Sequence, residues 1–202
     1  DGLISVSYFH KDVKDPIEYV LKYGAFSYTT AVNYPEGTID GIELEFRQQL
    51  GVISEQLDGL GFGANATFID SEVTVPKNER AGLTVSGPLL TSRDMSHTPE
   101  FLYNVFLTYD FNDKNSQVGL FYTVRGDTLV AGATKSSAYY VPNVYEKEYG
   151  TLNFTASHKI NDTWKIGFKA KNLLDPMIQT VYRSDYMVED EVVKTSYTKG
   201  ME

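Results

Sequence analysis

Apolar and polar residues alternate with a period of two along several segments of the chain. The alternation is strictest in residues 41–47, where Ile42, Leu44 and Phe46 fall on one face and Glu43, Glu45 and Arg47 fall on the other. Successive side chains of a β-strand point to opposite faces. The segment is therefore predicted to be a strand with one apolar and one polar face.

The same alternation recurs along the rest of the chain. Further two-faced segments lie at residues 3–10, 61–68, 117–125, 152–157 and 163–171, with a less regular one at 99–111 and a last one beginning near Thr195. Together they predict about eight strands and an all-β, antiparallel fold. Asn65 and Arg125 share the polar face with Glu43, Glu45 and Arg47, and we predict that these five residues face the lumen of a β-barrel.

The connections between the predicted strands alternate in length. The short ones are residues 51–59, 112–115 and 161–162, and the long ones are 13–36, 72–97, 129–147 and 175–193. Loops longer than about 12 to 15 residues are uncommon in compact soluble domains. Short turns on one side and long loops on the other are typical of a transmembrane β-barrel of the outer membrane, with the turns in the periplasm and the loops outside the cell.

Composition narrows this picture only slightly. A chain of 202 residues with 42% hydrophobic residues could also form a soluble domain. Its longest apolar runs fall far short of the roughly 20 residues that a membrane-spanning helix needs. The 15 Tyr and 11 Phe residues favour strands.

Several kinds of chemistry are disfavoured. The chain has no Cys, and His10, His97 and His158 are scattered, so we predict no protein-held metal and no cofactor. The net charge of −9 argues against nucleic acid as a partner. Neither a nucleophile with a base nor a metal cluster is visible, so the chain is not expected to be an enzyme.

Four segments, in order, resemble the C-terminal half of TonB-dependent receptor barrels. They are Gly41-Ile42-Glu43-Leu44-Glu45, residues 65–72 (Asn-Ala-Thr-Phe-Ile-Asp-Ser-Glu), the strand from Thr98-Pro99 to Leu107-Thr108-Tyr109-Asp110-Phe111, and Lys171-Asn172-Leu173-Leu174-Asp175-Pro176. The order of these segments and the spacing between them carry the resemblance, which covers nearly the whole chain.

The resemblance implies a barrel of about 22 strands around a plugged lumen, in the outer membrane of a Gram-negative bacterium. Residues 1–202 are expected to be a C-terminal portion of that barrel, without the plug domain and the N-terminal strands. The implied function is active transport of a scarce nutrient: an iron chelate such as a siderophore, a vitamin, a carbohydrate or a peptide. The implied partners are outer-membrane lipid and the TonB energy-coupling complex, which acts through the plug.

Aromatic residues are frequent in the predicted outer loops. Seven of them are candidate ligand contacts: Tyr28, Tyr34, Tyr139, Tyr140, Tyr145, Tyr182 and Tyr186. Tyrosine offers a rigid apolar ring with a hydrogen-bonding tip, which suits the gripping of a ligand at a wet surface. The alternatives are that the loops pack on one another through these rings, or that the rings anchor at the membrane interface.

Two other fold and function assignments fit the alternation. The first is a small eight-stranded outer-membrane barrel with a structural or adhesive role, since the strand count matches such a barrel. The second is a soluble all-β ligand-binding domain, in which the apolar face would point inward.

Overall fold

The computed structural model describes residues 2–23, 26–80, 90–111, 115–136, 139–184 and 189–202. Its strands are β1 (Gly2–Lys14), β2 (Ile17–Tyr23), β3 (Ser27–Asn33), β4 (Glu36–Gln49), β5 (Leu60–Thr74), β6 (Ser92–Arg93), β7 (Phe101–Asp110), β8 (Ser116–Arg125), β9 (Thr128–Ala131), β10 (Thr134–Ser136), β11 (Tyr139–Val141), β12 (Asn143–Glu146), β13 (Tyr149–Lys159), β14 (Lys165–Ala170), β15 (Ile178–Arg183) and β16 (Glu191–Tyr197). Short 3-10 turns at Leu50–Val52 and Glu55–Leu57 and a four-residue helix, α1 (Lys77–Arg80), complete the described elements.

One antiparallel sheet forms the wall of the molecule. Its strands follow the order β1, β4, β5, β7, β8, β13, β14, and β6 pairs with the end of β5. The register keeps apolar residues opposite apolar residues: Ile42 of β4 lies between Tyr8 of β1 and Phe68 of β5. A slip of one residue would turn every side chain of a strand to the other face, so the alternation fixes this register.

The apolar face of the wall is exposed, and no described residue covers it. Ile4 is 78% exposed, Val6 70% and Phe168 60%. A soluble monomer rarely exposes such a continuous apolar surface, whereas a membrane barrel presents one to lipid. The soluble all-β alternative requires this face to be buried, so it does not fit the structure.

The two ends of the wall differ, as predicted. At the turn end, strands are joined by short connections, such as residues 50–59 between β4 and β5 and residues 160–164 between β13 and β14. At the loop end, the long connections contain structure of their own, including the β2–β3 and β10–β11 hairpins. Of the predicted short connection 112–115, residues 112–114 lie outside the described residues.

A second sheet, in the order β16, β15, β12, β9, prolongs the wall at the loop end. β9 continues β8 after Gly126 and Asp127, β12 runs into β13, and β15 continues β14 after residues 171–177. With each continued strand counted once, the wall has eight strands, and the predicted antiparallel barrel architecture is confirmed.

These extensions correct the predicted boundaries. Parts of the connections 129–147 and 175–193 are strands, and the last strand begins at Glu191 rather than near Thr195. The ladders shift register between Val144 and Tyr145 and between Thr180 and Val181, and neighbouring residues of β9 are buried on both faces. Bulges and two-sided burial both remove the period-two pattern on which the prediction depended.

The wall is an open sheet. Among the described residues, β1 forms a ladder only with β4, β14 only with β13, and β16 only with β15, so no ladder joins the two edges. Eight strands that do not close cannot be the small closed barrel that the strand count alone also allowed.

Candidate functional site

The five residues predicted to face the lumen share one face of the wall. Glu45 of β4 is opposite Asn65 of β5. Glu43 and Arg125 lie in one row across the sheet, in which each residue is opposite the next: Glu43, Thr67, Leu102 and Arg125. Arg47 lies two residues beyond Glu45 on the same strand, opposite Gly63. This polar face is the one opposite the exposed apolar residues, so the structure brings the five together on one surface.

Hydrogen bonds cross the strands on this polar face. Asn104 Nδ2 donates to Asn65 Oδ1 at 2.8 Å, and Thr123 Oγ1 donates to Asn104 Oδ1 at 2.6 Å. Glu45 forms an ion pair with Arg47 at 2.6 Å. The two hydrogen bonds link β5, β7 and β8, whereas the ion pair lies along β4.

The loops pack into a small core of their own at the loop end, which we call the loop cap. Its buried residues are Val20, Tyr34, Val73, Val75, Met95 and Ala133, with Val13, Val32, Ile39, Leu90 and Tyr140 against them. Val13, Ile39 and Val73 lie at positions that alternate with the exposed apolar residues of β1, β4 and β5. The β2–β3 hairpin therefore folds over the polar face of the wall and not over its apolar face.

A buried ion pair fixes the hairpin in the cap. Glu18 of β2 is fully buried, and its Oε2 lies 3.0 Å from Nη1 of Arg93, whose side chain is 3% exposed. The N–H and the Oγ of Ser96 also donate to the Glu18 carboxylate. Arg93 in turn stacks on the Tyr34 ring, with its Cζ 5.0 Å from the ring centre. The sequence analysis missed this pair, because neither residue belongs to a local motif.

Two of the predicted ligand-contact tyrosines lie inside the packed loops. Tyr34 is 1% exposed, its Oη donates to Glu79 at 2.8 Å, and burial raises the pKa of Tyr34 to about 12. Tyr145 packs with Leu129 and Val181 and donates to Asp94 at 2.7 Å. Burial also raises the pKa of Tyr145. For both residues the structure shows loop packing, the alternative role considered for these rings.

The other candidate tyrosines are more exposed than Tyr34 and Tyr145, or their side chains are not among those described. Tyr28 is 49% exposed near the tip of the β2–β3 hairpin, where its ring meets Phe26 edge-on. Tyr140 and Tyr182 are partly exposed, and Lys194 lies over the Tyr182 ring. Tyr139 is placed in β11 without a described side chain, and Tyr186 lies outside the described residues. Ligand contact by these five stays a prediction.

A charged network joins strands at the junction between the main sheet and the second sheet. Asp127 contacts Arg183 and, at 2.9 Å, Lys147, and Glu191 lies 2.8 Å from Arg183 Nε. Burial opposes ionisation of Asp127, but hydrogen bonds from Arg183, Lys147 and the N–H of Glu148 outweigh it and lower the pKa of the carboxyl. The network therefore connects the β8–β9 junction with β12, β15 and β16.

Two of the cavities among the described residues open on the polar side of the molecule near the loop end. One, of about 240 Å³, is lined by Asp94, Glu100, Asp127 and Tyr145 among others. In the part of the chain that is described, no group of three or more His, Cys, Asp or Glu residues is arranged to hold a metal ion. The other cavity, of about 340 Å³, lies lower on the wall around Arg125 and Tyr149.

The described residues also include no helix long and apolar enough to cross a membrane.

Solved structures of similar fold are described as a ferric enterobactin receptor and a ferric-catecholate import receptor. A point mutant of the ferric enterobactin receptor PfeA from Pseudomonas aeruginosa matches with a TM-score of 0.55 and 17% identity, over 86% of this chain and 24% of the receptor. The ferric-catecholate import receptor Fiu from K12 E. coli matches with a TM-score of 0.52 and 15% identity, over 90% of this chain and 22% of the receptor. This chain thus spans about a quarter of the length of either receptor. No curated protein sequence matches it.

At these identities the solved structures establish the fold alone. The family is established by sequence: residues 1–173 match the family described as TonB dependent receptor-like, beta-barrel. That match covers most of the chain, and it agrees with the open antiparallel wall, its exposed apolar face and its alternating connections. This chain therefore belongs to the TonB-dependent receptor β-barrel family.

Proposed function

We propose that this chain is a C-terminal part of the barrel of an outer-membrane receptor that takes up a scarce nutrient in a TonB-dependent manner. The observation that carries the proposal is the two-faced wall: apolar side chains are exposed on one face, and hydrogen-bonded polar side chains line the other. Such a wall separates lipid from an aqueous interior. Its role is transport and not catalysis.

The loop end would face the outside of a Gram-negative cell, where the nutrient arrives. The cap folds over the polar face there, so it narrows the entrance to the interior. A plug domain elsewhere in the full protein would couple release of the nutrient to TonB. Iron chelates are the first substrates to test, because the receptors of similar fold are described as ferric enterobactin and ferric-catecholate receptors.

Among the loop tyrosines, we propose Tyr28 and Tyr182 as ligand contacts. Their rings remain partly or largely exposed, so each has surface left that a ligand could contact. Tyr34 would act indirectly, by holding the cap in place, and Tyr145 by packing the second sheet against Leu129 and Val181.

An uptake assay tests the function. A strain that lacks the full-length gene should lose uptake of at least one labelled nutrient from a panel of ferric catecholate, ferric hydroxamate, ferric citrate and vitamin B12. Restoring the gene should recover uptake only in cells with a working TonB system. Normal uptake of the whole panel in the deletion strain, or recovery without TonB, would contradict the proposal.

The tyrosine contacts need a separate measurement. Tyr28→Ala or Tyr182→Ala in the full-length receptor should weaken binding of the transported nutrient about 5- to 30-fold, the usual effect of removing an aromatic contact. Tyr122→Ala is the matched control, because Tyr122 lies on the apolar face of the wall, and it should leave affinity unchanged.

A further inference from the structure

The outward, apolar face of the wall becomes charged within one row of residues, where a row is a set of residues opposite one another on neighbouring strands. The last apolar row toward the loop end is Tyr8, Ile42, Phe68 and Phe101. The next row on the same face is His10, Asp40 and Asp70, and the row after it adds Asp12 and Glu72. The boundary between hydrocarbon and headgroups at the loop end therefore lies beside Asp40 and Asp70.

Asp40 and Asp70 are directly opposite each other on β4 and β5. Like charges in this arrangement destabilise a sheet. Asp40 accepts a hydrogen bond from the Tyr8 hydroxyl, and its Oδ1 lies 2.8 Å from Nδ1 of His10. The Asp70 carboxylate has no ion pair within the described part of the chain. The pair of carboxylates is thus only partly compensated.

A recess of about 310 Å³, which we call the charged recess, lies at this boundary. Three acidic residues line it, Asp40, Asp70 and Glu100, together with Tyr8 and no basic residue from the described ranges. Carboxylates and a hydroxyl offer oxygen atoms that accept hydrogen bonds. The charged recess therefore suits a cationic group that donates them.

An apolar groove of about 410 Å³ lies on the same face, farther from the loop end. Its floor is formed by two small residues of β5, Ala64 and Ala66, and its sides by larger residues of the neighbouring strands, Leu44, Phe46, Tyr103 and Val105. At about 3.3 Å per residue, Ala66 lies about 13 Å along β5 from Asp70. That distance is close to half of a hydrocarbon core of about 30 Å, so the groove lies at the depth of acyl chains in the leaflet at the loop end.

Neither recess depends on what fills the barrel interior, because both are on the face that points away from it. β5 is paired on both sides, with β4 and with β7. Further barrel strands would join at the edges of the wall, and the nearer edge, β1, is two strands from β5. The apolar groove is continuous with the exposed apolar face, so its occupant comes from the membrane.

We infer that the charged recess and the apolar groove together bind one membrane lipid whose headgroup carries an ammonium group, as phosphatidylethanolamine does. The ammonium would donate hydrogen bonds to Asp40 and Asp70, and an acyl chain would lie along Ala64 and Ala66. Charge complementarity selects this occupant, because the two carboxylates repel a lipid that presents only phosphate. The inference rests on the position of the wall in a membrane and not on what the receptor transports.

The test compares two lipids with the same acyl chains, phosphatidylethanolamine and phosphatidylglycerol, which lacks the ammonium. The full-length receptor, stripped of lipid in detergent, is equilibrated with equal amounts of both, purified again, and its bound lipids are extracted and quantified. Phosphatidylethanolamine should be retained about two- to fivefold more, the usual effect of a partly exposed charge pair. The preference should shrink in high sodium chloride, since partly exposed charges are screened, and should persist in EDTA.

Asp40→Asn combined with Asp70→Asn should abolish this preference. The matched control is Asp58→Asn combined with Asp162→Asn, which removes two exposed carboxylates from the turn end and should leave the preference unchanged. Thermal unfolding shows whether each variant keeps its fold.

The apolar groove is tested by a second pair of variants. Ala66→Leu fills the groove and should lower the amount of phosphatidylethanolamine retained. Ala156→Leu makes the same change on the same face, opposite Val118 and Phe168 and away from the groove, and should retain the lipid normally.

Equal retention of the two lipids by the unchanged receptor would overturn the inference, as would a preference that survives in the Asp40 and Asp70 double variant. Greater retention of phosphatidylglycerol that is lost in EDTA would show a divalent cation bridging to phosphate instead. If Ala66→Leu changes the oligomeric state and not the bound lipid, a second copy of the receptor occupies the groove and the inference is wrong. None of these results depends on nutrient uptake, so the proposed function is tested independently.

Discussion

The buried pair of Glu18 and Arg93 should be the most sensitive point of the loop cap. Replacing Glu18 with Ala leaves the Arg93 guanidinium buried without its carboxylate, and in the described residues Arg93 Nε and Nη2 already have no hydrogen-bond partner. Removing one member of a buried ion pair costs about 3 to 5 kcal/mol. The Arg93 contacts that remain, with the Tyr34 ring and the carbonyl of Asp94, are too few to offset this cost.

Hydrogen exchange on the full-length receptor in detergent measures this cost locally. The reporter amide is that of Gly132, which donates to Tyr19 O at 2.8 Å and so detects whether the β2–β3 hairpin stays docked. A loss of about 3 kcal/mol corresponds to at least a hundredfold faster opening of that contact. Amides of β7 and β8, deep in the wall, should keep their protection.

Glu36→Ala is the matched control for this experiment. Glu36 lies at the start of β4, is exposed, and accepts one long hydrogen bond, of 3.4 Å, from Thr74 within the described part of the chain. Its removal should change protection by less than about 0.5 kcal/mol. The reasoning is refuted if Glu18→Ala leaves Gly132 as protected as in the unchanged receptor. Replacing both Glu18 and Arg93 with Met should restore most of the protection, because no unpaired charge then remains.

Three further results are expected. Gly132→Ala should destabilise the cap by about 1 to 3 kcal/mol in the same exchange experiment, because the added Cβ would lie 2.5 Å from Cζ of Arg93. Gly167→Ala is its control and should have little effect, because the nearest atom to the added Cβ is 3.9 Å away. Leu44→Lys on the apolar face should cost about 2 to 4 kcal/mol in folding titrations into lipid vesicles, whereas Glu43→Lys on the polar face should cost little. Because folding lowers the pKa of Asp127, its ionised carboxylate adds stability that is complete above about pH 4 and is lost as the pH falls through that pKa. In Asp127→Asn, the melting temperature should therefore fall less on acidification than in the unchanged protein.

The wall could be predicted from the sequence because its pattern is local. Strand alternation depends only on neighbouring residues, so Ile42, Leu44 and Phe46 are assigned to one face without knowledge of any partner strand. The position of Glu43 and Glu45 beside Asn65 then follows, because antiparallel neighbours with the same alternation can pair only with like faces together. Where bulges interrupt the alternation, in β12 and β15, the prediction failed.

The loop cap could not be predicted in this way. Ser96 and Glu18 are 78 residues apart in the chain, yet a hydrogen bond joins them. In the same way, the sequence of the loops does not distinguish the buried ring of Tyr34 from the exposed ring of Tyr28. Which loop residues become buried depends on how three separate connections pack against one another, and no local pattern encodes that packing.

The wall, its two faces and the family therefore follow from the local pattern of residues. Which loop residues are buried in the cap and which stay exposed follows from the packing of the folded chain. The physical reason is that the faces of a strand are set by a repeat of two residues, whereas burial in the cap is set by contacts between segments far apart in the chain.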